Sequence, residues 1–100
     1  MSTQHALELS EALISPAPHV VSRVIQERAV VLDHTRDELR QLNEVGSLLW
    51  AQLLKEPTSL NALVTLMLHT FEVERDEAER DAQSFLTELY ELKLITLTHP

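Results

Sequence analysis

The side chains most capable of chemistry are histidines and carboxylates, and their spacing predicts no catalytic or metal site. The five histidines are scattered, and none lies three or four residues from another, the spacing that puts two metal ligands on one helix face. His69 and Glu72 are three residues apart, and a surface pair at a helix end explains them. Ion pairing with Arg75 and Arg80 likewise explains the acidic cluster of residues 72–81. We therefore expect no metal and no cofactor.

The chain also lacks the residues that several other classes of enzyme use. The chain has no cysteine, which removes thiol nucleophiles and thiolate metal ligands. Its single glycine, Gly46, excludes a glycine-rich phosphate loop. Neither Ser47 nor Ser84 lies in a recognisable nucleophile turn. The sequence therefore favours a protein that is not an enzyme.

Composition predicts one soluble domain with a protein partner. The chain has 100 residues, 44% of them hydrophobic, which is enough for a core without disulfides. No apolar run reaches membrane-spanning length, and the N-terminus lacks the basic start of a secretion signal, so we expect a cytoplasmic protein that binds no membrane. The net charge of −8 disfavours nucleic acid, because phosphate binding requires clustered basic residues.

The first half of the chain has the pattern of an antiparallel meander. Residues 19–25, 28–33 and 38–42 are predicted strands, the first two rich in β-branched side chains. Neither Gln26 nor Glu27 suits a two-residue turn, so a longer or irregular loop is expected there. Residues 1–15 are predicted to be a flexible N-terminal arm, with a weak amphipathic helical turn as the alternative, and residues 16–100 the folded domain.

The second half is predicted to be helical. Apolar side chains recur at helical spacing over residues 44–54, 60–71 and 75–92, and Asn43 is a suitable N-cap for the first helix. We expect Gly46 to permit close packing of another element. Trp50 is expected to be partly buried against the sheet or a neighbouring helix, with a surface aromatic that contacts a partner as the alternative. The tail from Leu94 alternates and is compatible with a short strand. The order predicts an α+β fold, a three-stranded antiparallel sheet followed by three helices, similar to a winged helix-turn-helix.

The third predicted strand is the best candidate for a binding surface. Residues 38–42 run directly into a helix, so the strand is expected at a sheet edge. An edge strand exposes unpaired N–H and C=O groups, by which proteins capture extended peptides. The alternative is an ordinary edge strand that contacts only solvent.

Four segments carry a resemblance to a known family. They are RAVVLD (residues 28–33), LNEVGSLLW (42–50), TSLNALVTLM (58–67) and FEVERDEAERDAQSFLTELYELKLI (71–95). In this order and spacing they resemble the PqqD family, whose members recognise precursor peptides in pathways of ribosomally made, modified peptides such as PQQ biosynthesis. The resemblance covers about residues 16–96.

The resemblance implies a winged-helix-like fold and a non-catalytic peptide chaperone. Family members bind the leader segment of a precursor peptide as a strand added beside the third strand, against the third helix. They deliver it to a modifying enzyme, for PqqD a radical enzyme that uses S-adenosylmethionine and iron–sulfur clusters. Carried over, the backbone ladder would come from Glu38, Leu39, Arg40, Gln41 and Leu42. The opposing wall would come from Ala78, Asp81, Ala82, Phe85 and Leu86.

Helical periodicity and composition leave alternatives open. The apolar stripe turns Ala78, Ala82 and Phe85 toward the core, which would leave on the rim Leu86, Arg75, Glu79 and Tyr90. A small adaptor domain that binds a folded enzyme is one rival function. A DNA-binding winged-helix regulator is another, although the third helix is acidic. The oligomeric state is expected to be a monomer or a weak homodimer, because a free strand edge can also pair two protomers.

Overall fold

Nine short elements form the described part of the chain. The computed structural model describes residues 9–34 and 36–99. In chain order the elements are β1 (Leu13–Pro16), β2 (Val21–Ile25), β3 (Arg28–Asp33), β4 (Glu38–Gln41), α1 (Glu44–Lys55), β5 (Thr58–Ser59), α2 (Leu60–Thr70), α3 (Arg75–Glu91) and β6 (Ile95–Thr98). The predicted α+β fold, a three-stranded antiparallel sheet followed by three helices, is confirmed.

The predicted meander is the sheet β2-β3-β4. Both strand pairs are antiparallel, and the register aligns Val21 with Leu32 and Leu32 with Leu39. The turn between β2 and β3 consists of Gln26 and Glu27 alone, so the expected longer or irregular loop is wrong. Both turn residues have positive φ, 53° and 67°, as a two-residue hairpin turn requires. Residues other than glycine adopt this left-handed backbone conformation at a cost of about 1–2 kcal/mol per residue.

The N-terminal segment takes part in a second sheet, in the order β5-β1-β6. Leu13 pairs with Thr98, and the side chains of Leu9 and Ile14 are buried in the core. This corrects the expected flexible arm for residues 9–15, because their apolar side chains and strand pairing hold them to the domain. Residues 1–8 lie outside the described residues. The strand anticipated in the C-terminal tail is present as β6.

The helices begin where their sequences predict. Asn43 caps α1 by accepting a hydrogen bond from the Gly46 N–H at 2.7 Å, and Ser59 caps α2 by accepting from Ala62 at 3.1 Å. Trp50 lies against the sheet, where its Nε1 donates to Ser22 Oγ at 2.9 Å, and it is buried more completely than expected. Within residues 9–34 and 36–99 no helix has the length and apolar content to cross a membrane.

Candidate functional site

The outer edge of β4 presents free backbone groups. Within the described part of the chain, β4 pairs with β3 alone. Leu42 lies opposite Ala29, and its N–H donates to the Ala29 carbonyl oxygen at 2.8 Å. Ala29 and Leu42 therefore form a hydrogen-bonded pair of the ladder. Bonded and non-bonded pairs alternate along an antiparallel ladder, so Arg40 also bonds to β3, whereas the N–H and C=O groups of Leu39 and Gln41 point to the free edge.

Ser47 holds the end of this strand in place. Its hydroxyl accepts a hydrogen bond from the Ala29 N–H at 2.8 Å and donates to the Leu42 carbonyl oxygen at 3.3 Å. The hydroxyl thus stands in for the missing half of the Ala29–Leu42 pair and ties the sheet to α1. The sequence alone indicates no such role, because the bonded groups are 18 residues apart in the chain.

A groove lies between the free edge of β4 and α3. Its volume is about 260 Å³, and its lining residues are Arg40, Gln41, Leu42, Asn43, Phe85, Glu88, Leu89 and Leu92. The floor is apolar, and the rim carries one cation, one carboxylate and two amides. Four lining residues were not among the predicted site residues: Asn43, Glu88, Leu89 and Leu92. Glu88 and Leu92 continue the stripe of Asp81 and Phe85 at helical spacing. The groove suits one large apolar side chain next to polar backbone.

Arg40 supplies the positive charge of the groove. Its Nη2 contacts Glu38 Oε2 at 3.0 Å, across a half-exposed surface. Its Nε atom is buried and has no hydrogen-bond partner in residues 9–34 and 36–99. A buried donor without an acceptor is costly, so this N–H is an unfavourable feature of the free groove.

Arg36 links the β3–β4 turn to Leu92, which lines the groove. Its Nη1 donates both to Asp33 Oδ2 and to the Leu92 carbonyl oxygen, each at 3.0 Å. The Asp33 carboxylate is completely buried. These bonds tie the β3–β4 turn to the end of α3, and so they set the distance between β4 and the helix at this point.

Gly46 on α1 lies against Phe85 of α3, which is the close packing of another element that its position in the helix predicts. A Cβ atom at this position would lie 2.9 Å from Phe85 Cε1, which is less than a van der Waals contact. The ring is the far end of a side chain, so it can move, and the groove that it lines offers space for it.

We expect Gly46→Ala to move the Phe85 ring without unfolding the protein. Alanine gains about 1 kcal/mol over glycine within a helix, which offsets the cost of moving the ring. The free energy of unfolding should therefore change by less than about 1 kcal/mol, while the ring proton resonances of Phe85 shift. In a Phe85→Leu background the same substitution should stabilise the protein by about 1 kcal/mol. Equal effects in the two backgrounds would show that the two residues do not interact.

The structure places the predicted site residues in two groups. Glu38, Leu39, Arg40 and Gln41 form β4, and Leu42 follows it with a buried side chain. On α3, Phe85 is half-buried at the groove and Asp81 is exposed one turn before it.

Three of the residues predicted to form the helix wall do not lie at its surface. Ala78, Ala82 and Leu86 are completely buried in the core, so they shape the wall from behind and offer no surface to a ligand. The expected core position of the two alanines is thus confirmed, whereas the alternative that left Leu86 on the rim is wrong. The reason is that α3 packs against both β6 and α2, which widens its buried face.

The fold and the sequence both match known proteins. The family model of coenzyme PQQ synthesis protein D (PqqD) matches residues 28–95. Comparison with curated protein sequences finds no significant match. TbiB1, solved in complex with the TbiA(beta) leader peptide, is 28% identical with a TM-score of 0.74, over 81% of this chain and 93% of TbiB1.

Two further solved structures are similar. Lasso peptide synthetase B1, complexed with the leader peptide, is 28% identical with a TM-score of 0.75, over 85% of this chain and 99% of the synthetase chain. The PqqD truncation of Methylobacterium extorquens PqqCD, a stand-alone RiPP recognition element, has a TM-score of 0.67 over 84% of this chain and 88% of its own. At 13% identity this last match shows the fold alone. Because the family model matches more than half of the sequence, the chain belongs to the PqqD family.

Proposed function

We propose that the chain is a non-catalytic peptide chaperone for a ribosomally made precursor peptide. It binds the leader segment as a strand added to β4 and presents the peptide to a modifying enzyme, of the radical S-adenosylmethionine type or another maturase. The observation that carries the proposal is the free backbone of Leu39 and Gln41 beside an apolar groove. Two structures of similar fold, TbiB1 and lasso peptide synthetase B1, were solved with leader peptides, which supports it.

Backbone and side chains have different tasks in this mechanism. The N–H and C=O groups of Leu39 and Gln41 bond to the peptide backbone whatever its sequence. Selection comes from the groove, where Phe85 and Leu92 surround one large apolar side chain and the Arg40 guanidinium faces a peptide oxygen. Asp81, one turn before Phe85 on α3, contacts a peptide that extends beyond β4. We expect a Kd of about 1 μM, about −8 kcal/mol, which is weak enough for transfer to an enzyme.

An amide-resolved NMR titration of the full chain tests the proposal. The probe is a synthetic leader of the small peptide encoded beside this chain. We expect the Leu39 and Gln41 amides to shift and to become protected from hydrogen exchange, since they gain partners. The outward amides of β2, those of Ser22 and Val24, are the internal control because they face the other free edge of the same sheet.

Two outcomes would contradict strand addition at β4. Protection of Ser22 and Val24 would move the binding site to the β2 edge. A folded protein without any shift would favour the adaptor function, in which the partner is a folded enzyme and the free edge stays unpaired.

A further inference from the structure

The face of the β2-β3-β4 sheet that points away from the helices is apolar. Side chains alternate along a strand, so this outer face holds every second residue of each strand. Its apolar members are Val21, Ile25, Val30, Leu32 and Leu39. The register aligns Val21, Leu32 and Leu39 in one row across all three strands.

Nothing in the described structure covers this face. None of its five apolar side chains packs against the buried hydrophobic core of the domain. Val21 is 49% exposed, Ile25 52% and Leu39 71%. A sheet with one face in solvent normally carries polar side chains there, so a contiguous apolar face indicates a surface for another protein.

The charge of the outer face indicates an acidic partner. Its remaining members are Arg23, Arg28 and Gln41, and it has no acidic side chain, in a chain whose net charge is −8. Arg23 and Arg28 form no ion pair with residues 9–34 or 36–99. A second copy docked through this same face would bring like charges together, so an apolar surface rimmed by carboxylates fits better.

The outer face is continuous with the β4 edge. Leu39 ends the apolar row, and its backbone is one of the two that the bound peptide would pair with. A strand added there would extend the face by its own alternate side chains. We infer that the outer face docks the enzyme that modifies the bound peptide, through an apolar surface with carboxylates opposite Arg23 and Arg28. This inference rests on the proposed peptide binding and adds the position of the second partner.

The test compares two substitutions on one strand. Val21→Glu puts a carboxylate on the outer face, whereas Val24→Glu puts the same group on the opposite face, where Val24 is 68% exposed and lines a separate cleft against α1. The probe is the purified enzyme encoded beside this chain that acts on the same precursor. Its affinity for the full chain loaded with leader peptide is measured by interferometry. Leader affinity of each variant is measured separately, and circular dichroism checks folding.

We expect Val21→Glu to weaken enzyme binding by about tenfold or more, with leader affinity and the Val24→Glu variant close to wild type. Arg23→Glu should weaken it as well and reduce its dependence on salt, whereas Lys55→Glu, with the same change in net charge, should not.

Unchanged enzyme binding in Val21→Glu, a loss only in Val24→Glu, or no enzyme binding by the wild type overturns the docking inference while peptide binding stands. A self-association that Val21→Glu abolishes assigns the face to a second copy and also overturns it. If the wild-type protein does not bind the leader peptide, the proposed function itself is refuted.

Discussion

Replacing Gln41 with proline is expected to lower the affinity for the leader peptide by about a hundredfold or more. The lost N–H removes one ladder bond, about 1 kcal/mol, and the peptide carbonyl left without a donor costs about 1–3 kcal/mol more. The pyrrolidine ring also occupies the edge where the peptide lies. The domain should stay folded, because this N–H points away from β3 and proline is tolerated at such edge positions. Isothermal calorimetry with the leader peptide and a thermal melt measure the two quantities.

The other edge of the same sheet provides the control. The Val24 N–H points outward from β2, just as the Gln41 N–H does from β4. Val24→Pro therefore makes the same chemical change at an edge that the proposal leaves empty, and leader affinity should stay within about twofold of wild type. Leu39→Pro should repeat the effect of Gln41→Pro. Wild-type affinity in a folded Gln41→Pro protein would refute strand addition at β4.

Asp33→Ala is expected to lower the free energy of unfolding by about 2–3 kcal/mol. The carboxylate is completely buried and accepts from Arg36 through Nη1 at 3.0 Å and through the backbone N–H at 3.4 Å. This loss of stability is at the lower end for a broken buried ion pair. The Arg36 side chain is 38% exposed, so water hydrates its guanidinium when the carboxylate is removed. Arg36 would also lose its orientation toward the Leu92 carbonyl, so the groove should loosen and bind the leader peptide less tightly. Urea denaturation measures the stability change.

Glu38→Ala is the matched control for this ion pair. Glu38 lies opposite Asp33 in the sheet and pairs with Arg40 at the same distance of 3.0 Å, but both side chains are partly exposed. Breaking it should cost less than about 1 kcal/mol, since exposed pairs are screened by water. If Asp33→Ala costs no more than Glu38→Ala, the Asp33–Arg36 pair does not hold the turn to α3.

Local signals predicted most elements that build the site. Asn43 marked the start of α1 because an N-cap bonds only to its own first turn, and the Asn43–Gly46 bond spans three residues. Gly46 indicated a close approach because a mid-helix glycine costs stability and needs a packing reason. In contrast, β1 and β5 were not predicted. They have four and two residues, too few for a period, and β1 owes its pairing to β6 at the far end of the chain.

Which side of a helix meets which neighbour depended on the whole fold. The stripe of α3 was visible in the sequence, but only packing against both α2 and β6 decided that Leu86 lies in the core and that Phe85 and Leu92 line the groove. The contacts of Ser47 and Arg36 are equally invisible locally, since Arg36 reaches a carbonyl 56 residues away.

The fold class, the strand predicted over residues 38–42 and observed at 38–41, and the cap at Asn43 were predictable from the sequence, because they follow from residue type and short-range periodicity. The tertiary structure alone decided which backbone groups of β4 are free, how wide the groove is and that the outer face is left uncovered. Those properties depend on strand register and on contacts between residues far apart in the chain, which no local pattern encodes.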